Sequence, residues 1–274
     1  MFDIAIKELL NSNSLVGRPQ SFHEYKKKVG VKKNIRTAEY LSIYSIEDLK
    51  EELVNAKCTI FRLGSPKGER YTYFSISKYK TNWNDYFLMD DQIFSRDEKL
   101  YDLSKNKNVH YLFSILPSLS EKALVQLSLA TGILFEALKI KNTKNIIPAT
   151  GAGSYTFKFK PLKDSIELTH YQGQVEIDSF FIAKRNKKKC LFIIEAKSNK
   201  SKSLAKHKLL YPILSMQSNI DPEIEVIPVY LKFVLENRRV FINVVECRLP
   251  RVDMKFGSIE ELKPANSNKY LLNL

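Results

Sequence analysis

YQGQVEIDSFFIAKRNKKKCLFIIEAK, residues 171–197, decides the fold. Two strands are predicted in it, at 174–183 and 190–197, joined by a polar, basic tip at 184–189. Side chains on a strand alternate with a period of two. Glu176 and Asp178 therefore share one face of the first strand, and Glu195 and Lys197 share one face of the second. Antiparallel pairing brings three carboxylates and one ammonium group to the open end of this hairpin. Leu191, Phe192, Ile193 and Ile194 form an unbroken apolar run, as expected of a strand buried on both faces.

Carboxylates this close repel one another, and a desolvated carboxylate tends to take up a proton. A divalent cation removes the conflict. Mg²⁺ uses one or two protein carboxylates, keeps several waters and takes further oxygens from phosphate. It polarises a phosphoryl oxygen and acidifies bound water. A neighbouring lysine orients or deprotonates that water, or offsets charge at phosphorus. The chemistry indicated is metal-assisted hydrolysis of a phosphodiester.

Asp178, a hairpin, then Glu195-Ala196-Lys197 resembles the PD-(D/E)XK nuclease superfamily, which includes type II restriction endonucleases. The resemblance covers roughly residues 119–245, and Ile177 stands where the motif has Pro. It implies an α/β fold with a restriction-endonuclease-like core: a helix, a three-stranded antiparallel run, a helix and a further strand, in a mixed central β-sheet flanked by helices. It implies that Asp178, Glu195 and the Ala196 carbonyl hold Mg²⁺, with Mn²⁺ as a substitute, and that Lys197 is the catalytic lysine. Glu176 is a helper candidate. Glu136, on the preceding helix, has two readings: a further acid for the site, or an exposed helix glutamate. The activity implied is endonucleolytic cleavage of double-stranded DNA, most simply by a homodimeric restriction enzyme paired with a cognate DNA methyltransferase. A repair, recombination or transposition nuclease, or a non-cleaving DNA-binding module, remains an alternative.

Charge agrees with a polyanionic partner. The 274 residues carry 44 Lys and Arg against 30 Asp and Glu, a formal net charge of +14. Between 184 and 208 the cations include Lys187, Lys188, Lys189, Lys200, Lys202 and Lys206, and the only acid is Glu195. These lysines are candidate phosphate contacts. Cys58, Cys190 and Cys247 are far apart and odd in number, which argues against a disulfide framework or a zinc site. No signal-peptide pattern and no long apolar window occur, so a cytoplasmic setting without a membrane is expected.

Outward from the hairpin, helices are predicted at 120–140 and 203–217, core strands at 154–160, 225–235 and 239–247, and a turn at 236–238. Gly151-Ala152-Gly153 reads as a flexible turn. Residues 1–115 are expected to form an N-terminal α+β DNA-recognition region and residues 116–274 the nuclease domain, with a linker near 106–108. The first part holds short helices, a basic stretch at 21–36 that includes Lys32 and Lys33, and a hairpin at 58–77. The basic stretch is either a solvated helix face or a phosphate-contacting surface. The order of helices and hairpin resembles a winged helix-turn-helix, with family-specific decoration of the core as the rival reading. Asp90-Asp91 reads as a loop or helix terminus, and the tail after Pro250 carries no signal.

Overall fold

The computed structural model describes residues 1–31, 35–102, 107–116, 118–198, 200–236, 239–252 and 255–273. Lys32 and Lys33 of the basic stretch, Asn106 of the linker, and Asn237 and Arg238 of the last predicted turn lie outside the described residues. The N-terminal part comprises α1 (Asp3–Leu10), β1 (Gln20–Ser21), α2 (Phe22–Lys28), α3 (Thr37–Leu41), α4 (Glu51–Asn55) and a hairpin, β2 (Cys58–Gly64) with β3 (Tyr73–Lys78). Next come β4 (Phe87–Met89), α5 (Asp90–Ile93), β5 (Glu98–Leu100), α6 (Lys107–Ser114), α7 (Glu121–Ala130) and α8 (Ile133–Ala137). The central strands follow: β6 (Ala149–Phe159), β7 (Leu168–Arg185) and β8 (Lys188–Lys197). Then come β9 (Ser203–Ala205), α9 (His207–Met216), β10 (Glu225–Glu236), β11 (Arg239–Arg248), β12 (Arg251–Val252), β13 (Lys255–Phe256) and β14 (Lys263–Asn273).

Among the described residues ten strands form one mixed sheet, in the order β1-β3-β2-β7-β8-β10-β11-β14-β5, with β6 also paired to β7. β7 and β8 are antiparallel, and β10 runs parallel to β8. A parallel neighbour needs a crossover, and α9 supplies it. β8 is buried on both faces, as its apolar run predicts. Phe192, Ile194 and Ala196 pack in one cluster with Leu124 and Leu127 of α7 and Leu134 of α8. Leu191 and Ile193 pack with Ile213 of α9. The fold is thus mixed α/β, with helices on both faces of the central strands.

The hairpin tip has a local cause. Arg185 pairs with Lys188, and the two residues between them, Asn186 and Lys187, have φ of 52° and 67°. Two positive φ values in a two-residue loop match the right-handed twist of the flanking strands. Arg185, counted with the basic run, is withdrawn from solvent: its guanidinium donates to both carboxylate oxygens of Glu246, at 2.6 and 3.1 Å.

Several elements differ from the sequence-based expectation. The helix expected at 120–140 is broken into α7 and α8 at Gly132, whose φ of +83° cannot continue a helix. Gly151-Ala152-Gly153 lies inside β6, because the long β7 offers backbone partners to pair with. The tail contributes β14, paired along most of β11. The β2–β3 hairpin is built into the large sheet through one backbone pair, Gly64 with Tyr171. One hydrophobic cluster joins Phe2, Phe22, Phe61 and Phe74 to Phe157, Phe159, Val175 and Leu210, so N-terminal and central elements share a core.

That single joint requires glycine. Gly64 has φ of +72°, and a Cβ there would stand 1.9 Å from the Tyr171 carbonyl oxygen. Gly64→Ala is expected to destabilise the fold by about 2 kcal/mol or more, read as a fall in denaturant midpoint. An unchanged midpoint would show that the joint yields freely.

Candidate functional site

β7 is irregular where it carries Asp178. Ala149 of β6 pairs with Phe180, but Gly151 pairs with Ile177, so β7 holds one extra residue there. A regular strand sends residues three apart to opposite faces. Ile177 and Phe180 instead lie in one cluster with Ile193 and Ile213, which places the bulge at Asp178–Ser179. A bulge re-aims a side chain and ends regular pairing. The β7–β8 ladder runs only as far as Ser179–Ile194. Beyond it the Asp178 carboxylate accepts the Ala196 N–H at 2.8 Å. An ionised acceptor makes this a strong bond, and it locks the Glu195-Ala196-Lys197 backbone to β7.

Glu195 is buried, with 4% of its surface exposed. The Lys197 ammonium lies 2.8 Å from Glu195 Oε1 and donates to the Ala196 carbonyl at 2.8 Å. Burial pushes the Glu195 carboxyl above its ordinary range, partly offset by the nearby Lys208 and Lys197 charges. Burial alone would lower Lys197, but Glu195, Glu121 and Asp178 outweigh it and hold its proton tightly. Three carboxylates thus face two ammonium groups, an excess of negative charge that favours uptake of a cation or a proton.

Glu121 opens α7, where Ser120 caps the helix by accepting the Ala123 N–H at 3.2 Å. Its carboxylate accepts the Ser198 N–H at 2.7 Å and lies 3.9 Å from the Lys197 nitrogen. Tyr44 stands over the cluster from the N-terminal part, 5.9 Å from the Lys197 nitrogen and 4.5 Å from that of Lys208. Beside Glu195 and Lys197, the parallel strand β10 sets Tyr230 and Lys232 in register. Tyr230 donates to Asp90 at 3.2 Å, and Lys232 sits 3.8 Å from the same carboxylate. Burial pushes Asp90 up to about 6, with Lys232 and Tyr230 holding it lower than burial alone would. Lys232 also donates to the Ser201 carbonyl at 2.7 Å. The Asp90 N–H meets the Lys202 carbonyl, and Glu47 accepts the Lys202 N–H at 2.9 Å. The segment leaving Lys197 is therefore held from two sides.

The structure brings Asp178, Glu195, Ala196 and Lys197 together as their spacing suggested. Glu176 is exposed and lines a neighbouring cleft with Lys208. Glu136 is placed elsewhere: it accepts from the Tyr270 hydroxyl of β14 at 3.3 Å, because Gly132 turns α8 towards that strand. Glu121 is the helix acid that reaches the site, one residue after the Ser120 cap; its only sequence signal was its place in a first helical turn. Lys208 was visible in the basic run, and nothing in the sequence marked Tyr44. Lys187, Lys188, Lys189, Lys200 and Lys202 are exposed. Lys206 is not a surface cation: it is 1% exposed, and its ammonium reaches the Glu260 carbonyl at 3.4 Å. Asp90 begins α5, as a helix terminus.

The oxygens available for a metal are the Asp178 and Glu195 carboxylates and the Ala196 carbonyl. Among the described residues no group of three or more His, Cys, Asp or Glu side chains is gathered into a metal site. Cys58, Cys190 and Cys247 are buried free thiols, and no described helix is long and apolar enough to cross a membrane.

The chain belongs to the family described as Domain of unknown function (DUF6997), which matches residues 89–267. None of the curated proteins and none of the solved structures compared with the chain matches it. The matched region contains Asp90, Glu121, Asp178, Glu195, Lys197 and Lys232 and leaves out Tyr44, Glu47 and the β2–β3 hairpin.

Lys206 has a measurable consequence. Burial, and then the nearby Lys263 charge, push it from 10.5 down to about 7. The unfolded chain therefore binds the extra proton between those values, and stability rises with pH across that window. Lys206→Met is expected to stabilise the protein below about pH 7 and to flatten that rise, as read by denaturation at several pH values. An unchanged pH profile would show that the ammonium is solvated.

Proposed function

We propose that the chain is a metal-dependent endonuclease acting on duplex DNA. The observation that carries this reading is the meeting of Asp178, Glu195 and Lys197 at the bulged end of a buried hairpin, with the Asp178 carboxylate on the Ala196 N–H at 2.8 Å. The order of elements supports it: helix, three antiparallel strands, crossover helix and a strand parallel to β8, as the PD-(D/E)XK resemblance implies. The net charge of +14 and the exposed lysines favour a phosphate backbone as partner.

The donor set fits a hard cation. Two carboxylates and one carbonyl are what Mg²⁺ asks of a protein, with water and phosphate supplying the rest. Lys197 already places a positive charge against Glu195 and the Ala196 carbonyl at 2.8 Å each, so that corner is shaped for a cation. Asp178, Glu195 and the Ala196 carbonyl would hold Mg²⁺ or Mn²⁺. When bound, the metal supplies Lewis acidity to a phosphoryl oxygen and to water. Lys197, fully protonated among three acids, donates hydrogen bonds to a phosphate oxygen or to the attacking water. Glu121 keeps that ammonium directed and anchors Ser198. Asp178 keeps the Glu195-to-Lys197 backbone in place.

Within this class a type II restriction endonuclease, working as a homodimer beside a cognate DNA methyltransferase, is the reading we favour. A separate N-terminal contribution to the site, from Tyr44 and Glu47, gives such an enzyme material for reading its substrate.

Asp178→Ala and Lys197→Ala are expected to bind duplex DNA with wild-type affinity and to lose Mg²⁺-dependent plasmid cleavage by at least about a hundredfold. Full cleavage by either variant would remove the assignment. Glu121→Gln should slow cleavage by roughly tenfold, whereas Glu136→Gln should leave the rate unchanged. The reverse order would restore Glu136 to the site.

A further inference from the structure

A cleft of about 650 Å³ opens beside the acidic cluster, between the β2–β3 hairpin and the strands β6 and β7. Its size lies within the roughly 300–1,000 Å³ of small-molecule sites. Tyr44 and Lys208 belong to both places: they line the cleft, and Lys208 bears electrostatically on Glu195. The cleft and the cluster therefore adjoin one another at Tyr44 and Lys208.

The lining points to a neutral, hydrogen-bonding guest. Gln172 and Gln174 contribute amides, each with donors and an acceptor. Tyr211 borders the cleft with 8% of its surface exposed, and its hydroxyl, buried behind that surface, has no hydrogen-bond partner. Such a group costs stability unless something completes it. His207 packs edge-on against Phe61 and tilted against Tyr211, with centroids 5.9 and 5.0 Å away. Its imidazole stays neutral: burial, then the Lys208 and His170 charges, push it down to about 3. Arg62 and Lys67 are matched in the lining by Glu69 and Glu176, which leaves Lys208 at the mouth as the unbalanced cation. A phosphate would prefer the mouth, and a polar group without charge would prefer the interior.

The cleft is also a built feature. Gln172 is held at φ of +41° by a second bulge in β7, and its N–H donates to the Thr156 hydroxyl at 3.0 Å. Strained residues of this kind persist where surrounding structure fixes them, and they gather at ligand sites.

We propose that this cleft receives a nucleobase swung out of the DNA beside the phosphodiester presented to Asp178, Glu195 and Lys197. The proposal rests on the nuclease reading and names how the substrate is held. The exposed ring of Tyr44 stacks at the entrance, the Lys208 ammonium takes the adjoining phosphate, and the exposed Gln172 and Gln174 amides meet the edge of the base. Eversion costs least at a position already unpaired.

The test uses full-length protein without divalent metal and a DNA duplex carrying 2-aminopurine opposite an abasic position. Binding is followed by anisotropy, and base release by 2-aminopurine emission. The expected result is a rise of several-fold at protein concentrations that saturate the anisotropy signal, reduced by half or more in Gln172→Ala and in Gln174→Ala, each compared at its own saturation. Binding by anisotropy with no rise, or a rise that both variants keep, overturns the cleft proposal and leaves the nuclease reading standing. Absence of both DNA binding and Mg²⁺-dependent plasmid cleavage overturns the nuclease reading and this proposal with it.

Discussion

The arrangement depends on a glutamate kept dry. Glu195 ends a strand packed on one face against α7 and α8 and on the other against α9. An isolated carboxylate in such a place would protonate or destabilise the fold. Lys197, two residues on, removes that penalty only in part, because Glu121 and Asp178 compete for the same ammonium. The result is a corner with more negative than positive groups, fixed in geometry by a backbone bond to Asp178. Replacing such a pair by apolar residues is often neutral or stabilising, so its presence is weak evidence of a stability role.

Support for that corner comes from far along the chain. Glu47 and Asp90 grip the backbone at Lys202, and Lys232 holds the Ser201 carbonyl. Tyr44 overhangs the ammonium groups. Asp90 and Lys232 lie inside the region that defines the family, whereas Tyr44 and Glu47 lie outside it. The inner grip thus belongs to the family's shared region, and the outer face of the site is supplied by the segment before it.

Much of the centre was legible because its signals were local. The alternation from Gln174 to Ala183 and the run Leu191 to Ile194 specify two strands, and the spacing from Asp178 to Glu195 specifies their meeting. The double burial of β8 also followed from that run. Positions set by distant geometry were not legible. Glu121 and Glu136 look alike in sequence; only the break at Gly132 separates them. Lys206 sits in a run of cations, yet the fold buries it beneath Glu260. The two bulges in β7 leave no mark in composition, and β14 is too polar, KPANSNKYLLN, to read as a strand without its partner β11.

The joint between Gly64 and Tyr171 has a mechanical meaning. Three N-terminal strands connect to seven others of the large sheet by one backbone pairing, so the two portions cohere through a shared hydrophobic cluster and through contacts outside that sheet, such as the β4–β9 ladder. The cleft spans that seam, with walls from both sides. A guest seated there acts as a staple: by mass action it raises the resistance of the seam to opening by RT ln(1 + L/Kd), where L is the free guest concentration, a gain that continues to grow with that concentration. Melting of the amino-terminal portion thereby becomes a gauge of filling.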